Sequence, residues 1–192
     1  MFIQTEATPN PATLKFLPGK EVLLEGTADF RDADSAAASS PLAGKLFSIN
    51  GVTGVFFGYD FITVTKNDSL EWQHLKPAIL GAIMEHFMSG APVMSGVGQA
   101  AAERADQEGE FYDKADEEIV VTIKELLDTR VRPAVAQDGG DITFRGYENG
   151  TVFLNMKGSC AGCPSSTATL KHGIQNLLRH FVPEVQQVEQ IA

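Results

Sequence analysis

The chain has 192 residues, 43% of them hydrophobic and 21% charged, a globular composition sufficient for one or two domains. Its 15 basic and 25 acidic side chains leave a net charge of −10, the wrong sign for a nucleic-acid backbone or an anionic membrane surface. The longest uncharged run, residues 86–102, is rich in Gly, Ser, Gln and Ala, which excludes a transmembrane helix.

Residues 2–5 and 13–17 are short β-type runs divided by the turn signal Pro9-Asn10-Pro11. Residues 41–49 read as a helix with Leu42, Leu46 and Phe47 on one side. Residues 54–57 and 61–65 flank Gly58-Tyr59-Asp60, a hairpin signal, and Phe56, Phe57 and Tyr59 read as hairpin core rather than a ligand box. Asp68 and Glu71 have capping-box spacing. The helix after them places Trp72, Leu75, Ile79, Ile83 and Phe87 near one face, with Pro77 either kinking or beginning it.

Residues 91–118 then carry 2 basic and 8 acidic groups with no apolar periodicity in their first half. Small residues and like charges at that density read as an exposed, flexible linker, and the acidic run from Glu103 to Glu118 reads as solvating rather than metal-binding. About 20 such residues span roughly 25 Å. Two domains are therefore expected, near 1–90 and 116–192, joined by a linker over 91–115.

In the second unit Ile119, Ile123, Leu126 and Leu127 form a helical stripe, and Asp138-Gly139-Gly140-Asp141 marks a helix end and turn. Ile142, Phe144, Val152, Leu154 and Met156 alternate along two strands that Glu148-Asn149-Gly150 turns into a hairpin. Leu170, Ile174, Leu177, Leu178 and Phe181 define an amphipathic helix that Pro183 ends, and residues 185–191 are candidates for a returning strand. The fold class expected is α+β, with a mixed sheet-and-helix domain followed by a helix–β-hairpin–helix(–strand) domain.

Chemistry concentrates in Cys160-Ala161-Gly162-Cys163-Pro164, between a strand and a helix. Two cysteines with this spacing can aim both sulfurs at one metal centre, Gly158 and Gly162 allow tight turning, and Pro164 suits a first helical position. Thiols at a helix start are expected to have lowered pKa values and thiolate character. Cys160 and Cys163 are the only cysteines, which excludes a disulfide framework. The pair fits a redox dithiol, half of a zinc site or half of an iron–sulfur site. A closed zinc site needs four ligands, and no histidine has finger spacing; His172, nine residues beyond Cys163, reads as a solvated surface group. A hairpin-then-helix domain lacks the βαβ framework of a thioredoxin-like enzyme. Four thiolates from two identical subunits would complete an iron–sulfur ligand set. Asp138 and Asp141 read as turn chemistry, and no Ser/His/Asp set or phosphate-cradling loop is visible.

The segments DGGDI and KGSCAGCPSSTATLKHGI, with the helix–hairpin–helix order, resemble the NifU C-terminal domain of the Nfu family of iron–sulfur carriers, over about residues 117–190. The start QTEATPNPATLKF, the GVFFGYDFITVTK hairpin and the Trp72 segment resemble the Nfu N-terminal domain. The resemblance implies a [4Fe–4S] cluster bridging a homodimer and delivered to apo iron–sulfur enzymes, with an upstream assembly scaffold as a further partner. Cys160 and Cys163 match the family's ligand pair. It implies an N-terminal domain without metal ligands that aids client recognition, and a binding protein rather than an enzyme. A dithiol–disulfide oxidoreductase and a zinc-bridged interaction module are the alternatives. The first residues lack a basic, apolar signal and an Arg-rich transit character, so a bacterial-type cytoplasmic location is expected.

Overall fold

A computed structural model describes residues 1–96, 109–161 and 164–191. It has two α+β units, each with its own sheet and core.

The first sheet is antiparallel throughout, in the order β1-β2-β5-β4-β3, from β1 (Gln4–Ala7), β2 (Thr13–Leu17), β3 (Ala28–Phe30), β4 (Val52–Phe57) and β5 (Ile62–Lys66). One sheet face follows the sequence alternation: Phe16, Val55, Phe57, Ile62 and Val64 are buried against helices α2 (Pro41–Phe47) and α3 (Trp72–Ser89). Leu42, Leu46, Leu75, Ile79 and Ile83 complete that core, while Trp72 and Phe87 are only half-buried at its rim.

Several local readings change. A short helix α1 (Ala33–Ser39) precedes α2, and its sequence signal is a cap: the Asp32 side chain accepts from the Ser35 backbone N–H at 2.8 Å. Ser40 closes α1 and starts α2, its hydroxyl accepting from Ala43 N at 3.0 Å with Pro41 at the first position. The capping box at Asp68 does not form, because α3 begins later, with Glu71 as an N-cap making no side-chain cap bond. Pro77 lies inside α3 rather than beginning it. Tyr59 is half exposed at the hairpin tip and donates its hydroxyl to Glu21 instead of joining the core.

The second sheet, β6 (Gly140–Glu148), β7 (Thr151–Gly158) and β8 (Gln187–Gln190), pairs β6 and β7 antiparallel and β8 parallel to β7. Asn149 (φ 50°) and Gly150 (φ 80°) make the tight turn between β6 and β7. A bulge at Arg145 shifts the alternation by one, so Ile142, Phe144 and then Tyr147 are all buried. A 3₁₀ turn (Lys114–Asp116), α4 (Glu117–Leu126), a π turn (Leu127–Val131) and α5 (Arg132–Gln137) form one helical run ahead of β6. The last helix is α6 (Pro164–Phe181). Val120, Ile123, Leu127, Ile142, Leu154, Met156, Ile174 and Leu178 form the core between these helices and the sheet. Phe181, expected in that stripe, is exposed and lies under the Arg130 guanidinium, 4.9 Å from ring centroid to Cζ.

Residues 97–108, the centre of the expected linker, lie outside the described residues. Its described ends pack on neighbouring units: Met94 is buried in the first core, and the Phe111 ring lies 5.1 Å from that of Phe153. Among the described residues no helix is long and apolar enough to cross a membrane.

The two units touch. The second face of the first sheet, which carries Thr13, Lys15, Phe56, Thr63 and Thr65, is polar enough to face water, yet Thr13, Lys15, Phe56 and Thr63 are buried. What covers this face is the turn before β6 and the end of β7: a Cβ placed on Gly139 would lie 2.8 Å from the Thr63 methyl, and one on Gly158 3.1 Å from the Phe56 ring.

Candidate functional site

Cys160 lies two residues beyond the end of β7, and its turn interlocks with the Asp138–Asp141 turn that begins β6. The Ser159 hydroxyl donates to the Asp138 carbonyl at 2.5 Å, and Ser159 N donates to Gly139 O at 3.2 Å. Ala161 N donates to Gly158 O at 3.1 Å, and Thr167 on α6 donates its hydroxyl to Cys160 O at 3.0 Å. Two glycines make the packing possible. Gly158 has φ +64°, and Gly140 has no room for a side chain: a Cβ there would sit 2.5 Å from Cys160 Sγ and 2.8 Å from Lys157 O.

The Cys160 thiol therefore lies within the second core, only 6% exposed. Burial pushes it up to about 12, outweighing the Ser159 hydrogen bond that lowers it; the nearby Asp138 and Asp141 charges add to the rise. This reverses, for Cys160, the expectation of a lowered thiol. The residue precedes the first turn of α6 and is wrapped in apolar side chains, so desolvation prevails over any helix-end field. Cys163 lies outside the described residues. His172 is exposed, as expected. Among the described residues no three His, Cys, Asp or Glu side chains converge on a metal position.

The two aspartates of the turn act differently. Asp138 offers its carbonyl to Ser159. Asp141 is buried and accepts a two-pronged bond from Arg132, Nε at 2.9 Å and Nη2 at 2.8 Å, plus one from Ile142 N at 2.8 Å. The Arg132 guanidinium is correspondingly held protonated, well above its ordinary range, chiefly by Asp141. Asp141 thus ties α5 to β6 beneath the cysteine turn.

Four side chains of the first unit reach this region. Asn10 Nδ2 donates to Ala161 O at 3.4 Å, between the two cysteines of the motif. Lys15 Nζ donates to Ala136 O at 3.2 Å and Gln137 O at 3.1 Å, two carbonyls at the end of α5. Thr27 donates to Asp141 Oδ2 at 3.0 Å, and Arg31 Nη2 donates to Met156 O at 3.3 Å. A cleft of about 210 Å³ remains beside Ala161, lined by Arg31, Val55, Phe56 and Gly158 among others. Sequence reasoning assigned none of these four residues to the site. Asn10 had signalled only a turn, and Lys15 lay only within a short β-type run.

Comparison with known proteins decides the family. Residues 3–90 match the model for the N-terminal domain of the Nfu/NifU scaffold proteins, and residues 123–189 match the NifU-like domain. Over all 192 residues the chain is 53% identical to a human protein named NFU1 iron-sulfur cluster scaffold homolog, mitochondrial, of which it covers 72%. The chain belongs to the Nfu family. The Drosophila sechellia protein of the same name is 54% identical, and the chain spans 65% of its length. A solution structure of a NifU-like protein from Saccharomyces cerevisiae is 27% identical over 50% of this chain and 86% of its own, with a TM-score of 0.46. The Nfu relatives are named mitochondrial, which corrects the expectation of a bacterial-type cytoplasmic location. They are longer than this chain, and targeting segments are separate from the fold and removed on import, so the first residues read above are no guide to the compartment.

Proposed function

We propose that this Nfu chain is an iron–sulfur cluster carrier that holds a [4Fe–4S] cluster through Cys160 and Cys163, shares it with the same pair of a second subunit, and passes it to apo-proteins. The observation that carries this reading is the Cys160-Ala161-Gly162-Cys163 sequence between β7 and α6, in a chain homologous to named iron–sulfur cluster scaffolds over its full length. Among the described residues one chain supplies no complete metal ligand set, and two chains with two thiols each supply four.

The chain's own residues set the conditions for this. Cys160 is neutral while buried, so its proton must leave as the sulfur takes up iron. The turn that presents it is fixed by Ser159, Thr167 and the close approach of Gly140. Release to a client requires only exchange of thiolates: an acceptor thiolate joins iron as a carrier thiolate leaves, with no net electron transfer and no free iron. Nothing here requires a turnover reaction of the carrier itself. The first domain, residues 1–90, holds the client, and the stretch over 91–115 tethers the two units.

The test is iron and sulfide analysis of anaerobically purified Cys160→Ala and Cys163→Ala variants. Each should lose nearly all its cluster while keeping wild-type helical content. Near-normal iron and sulfide in either variant refutes the ligand assignment. Stoichiometric zinc in place of iron favours an interaction module, and reduction of protein disulfides by a metal-free sample favours a redox enzyme.

A further inference from the structure

The chain leaves the first unit by crossing back over it, above a buried histidine. Residues 91–96 follow the left-handed Gly90 (φ 70°) that ends α3. They dock on the junction of α1 and α2. Ser95 N donates to Ser39 O at 2.9 Å, the Ser95 hydroxyl donates to the same oxygen at 3.1 Å, and the Ser40 hydroxyl donates to Val93 O at 2.5 Å. Met94 fills a place in the first core, and Val93 packs against that core. His86, in the last turn of α3, is 1% exposed, and its Nε2 is buried without a hydrogen-bond partner. The Phe87 ring meets it edge-on at 5.8 Å, and the backbone carbonyls of Pro92 and Ala91 approach it from the crossing segment. Residues 91–96 carry no charged side chain; Lys45 on α2 faces the imidazole and pairs with Glu85 of α3 at 3.2 Å. A neutral imidazole fits these surroundings. An imidazolium does not, because Nε2–H would have no acceptor and the charge would be desolvated beside a cation.

We propose that residues 91–96 are a proton-released strap: it stays docked on Ser39, Ser40 and the first core while His86 is neutral, and lifts when His86 takes up a proton. Residues 97–108 lead from the strap to the second unit. Six released residues therefore add at most about 20 Å to the connection between the units. The proposal stands apart from the cluster reading and needs no metal.

The direction follows from what surrounds the ring. Burial, and after it Lys45, hold His86 below its ordinary value of 6.5, outweighing the Pro92 and Ala91 carbonyls that favour the charged form. Lifting the strap exposes the ring and restores the ordinary value. Docking is thus fully stabilised above about pH 6.5 and weakens as the pH falls below it, by up to about tenfold per pH unit until the docked histidine itself titrates. The strap is suited to local opening, being held by few bonds at the end of a helix, while the sheet beneath it keeps its own pairing.

The test is amide hydrogen exchange, read by NMR on the full-length protein at pH 7 and pH 5 and corrected for the intrinsic pH dependence of exchange. The Ser95 amide, bonded to Ser39 O, should lose about tenfold in protection at pH 5. The Val64 amide, on β5 in the same unit, should keep its protection. His86→Gln should abolish the difference between the two pH values. Equal protection of Ser95 at both, or the same loss in His86→Gln, overturns the strap. A parallel fall at Val64 assigns the change to unfolding of the whole unit and overturns it as well. Should His86→Gln fold poorly, titration of the histidine ring protons of wild type takes its place. His86 should titrate below the exposed His74, His172 and His180, and a midpoint equal to theirs overturns the proposal.

Discussion

At the residue scale the site depends on how closely Gly140 lets two strands and a thiol approach. Gly140→Ala forces a Cβ within 2.5 Å of Cys160 Sγ and 2.8 Å of a backbone oxygen that cannot rotate away. It should destabilise the protein by about 1–3 kcal/mol in urea unfolding. The Cys160 thiol carries a pH dependence whose sign follows from its shift. Its pKa is raised from 9.0 unfolded to about 12 folded, so the native state keeps a proton that the unfolded chain gives up. The stabilising effect is fully present below about pH 9 and is lost as the pH rises from there towards 12. Metal-free protein should therefore lose about 1.4 kcal/mol between roughly pH 8 and pH 10 from this group alone. Cys160→Ala should remove that part of the slope when urea midpoints are compared across the range.

At the scale of elements, the Arg132–Asp141 pair anchors the short helix α5 to β6. The carboxylate is buried, and the guanidinium has Asp128, at 3.1 Å, as its other acidic partner. Asp141→Asn keeps the shape and removes the charge, so denaturant unfolding should show a loss of about 2–3 kcal/mol. The α6 helix offers the opposite case. Gly173 is exposed in its interior with nothing within 4 Å of an added Cβ. Gly173→Ala should raise stability by about 0.5–1 kcal/mol, read as a higher thermal midpoint, because the backbone entropy cost falls and no contact changes. Both elements were legible beforehand as a helix end and a helix face. The ion pair was not, since the nine-residue spacing of Arg132 and Asp141 brings them together only after the helical run turns back into β6.

At the scale of the whole molecule, the boundary of the second unit falls earlier than charge patterning suggested. Phe111 N donates to Arg145 O at 3.0 Å and Tyr147 N donates to Phe111 O at 2.9 Å, so this residue covers the free edge of β6 at its bulge. Its ring and that of Tyr112 pack on Phe153 and Phe144, and Glu110 pairs with Lys124. A fragment of residues 109–192 should be more stable than one of 116–192 by about 2 kcal/mol. Chemical denaturation of the two fragments side by side checks this. The acidic composition of the stretch hid two aromatic anchors whose partners lie more than thirty residues downstream.

The sequence by itself determined the α+β class, the inward face of the second sheet, the Asn149–Gly150 hairpin, the cysteine motif and, through that motif, the family. These rest on periodicity, turn chemistry and short spacings, which act between residues near each other in the chain. The tertiary structure alone decided the fate of the outward faces. Alternation marks Thr13, Lys15 and Thr63 as residues on the side away from the core; it carries no information on whether water or another unit lies there. The same holds for Cys160. Its place beside a helix start suggested an activated thiolate, and the approach of Gly140 together with the surrounding apolar side chains made it a buried, neutral thiol instead. Burial is a sum over neighbours far apart in sequence, so desolvation, and with it the chemistry of the site, is settled only when the chain has folded.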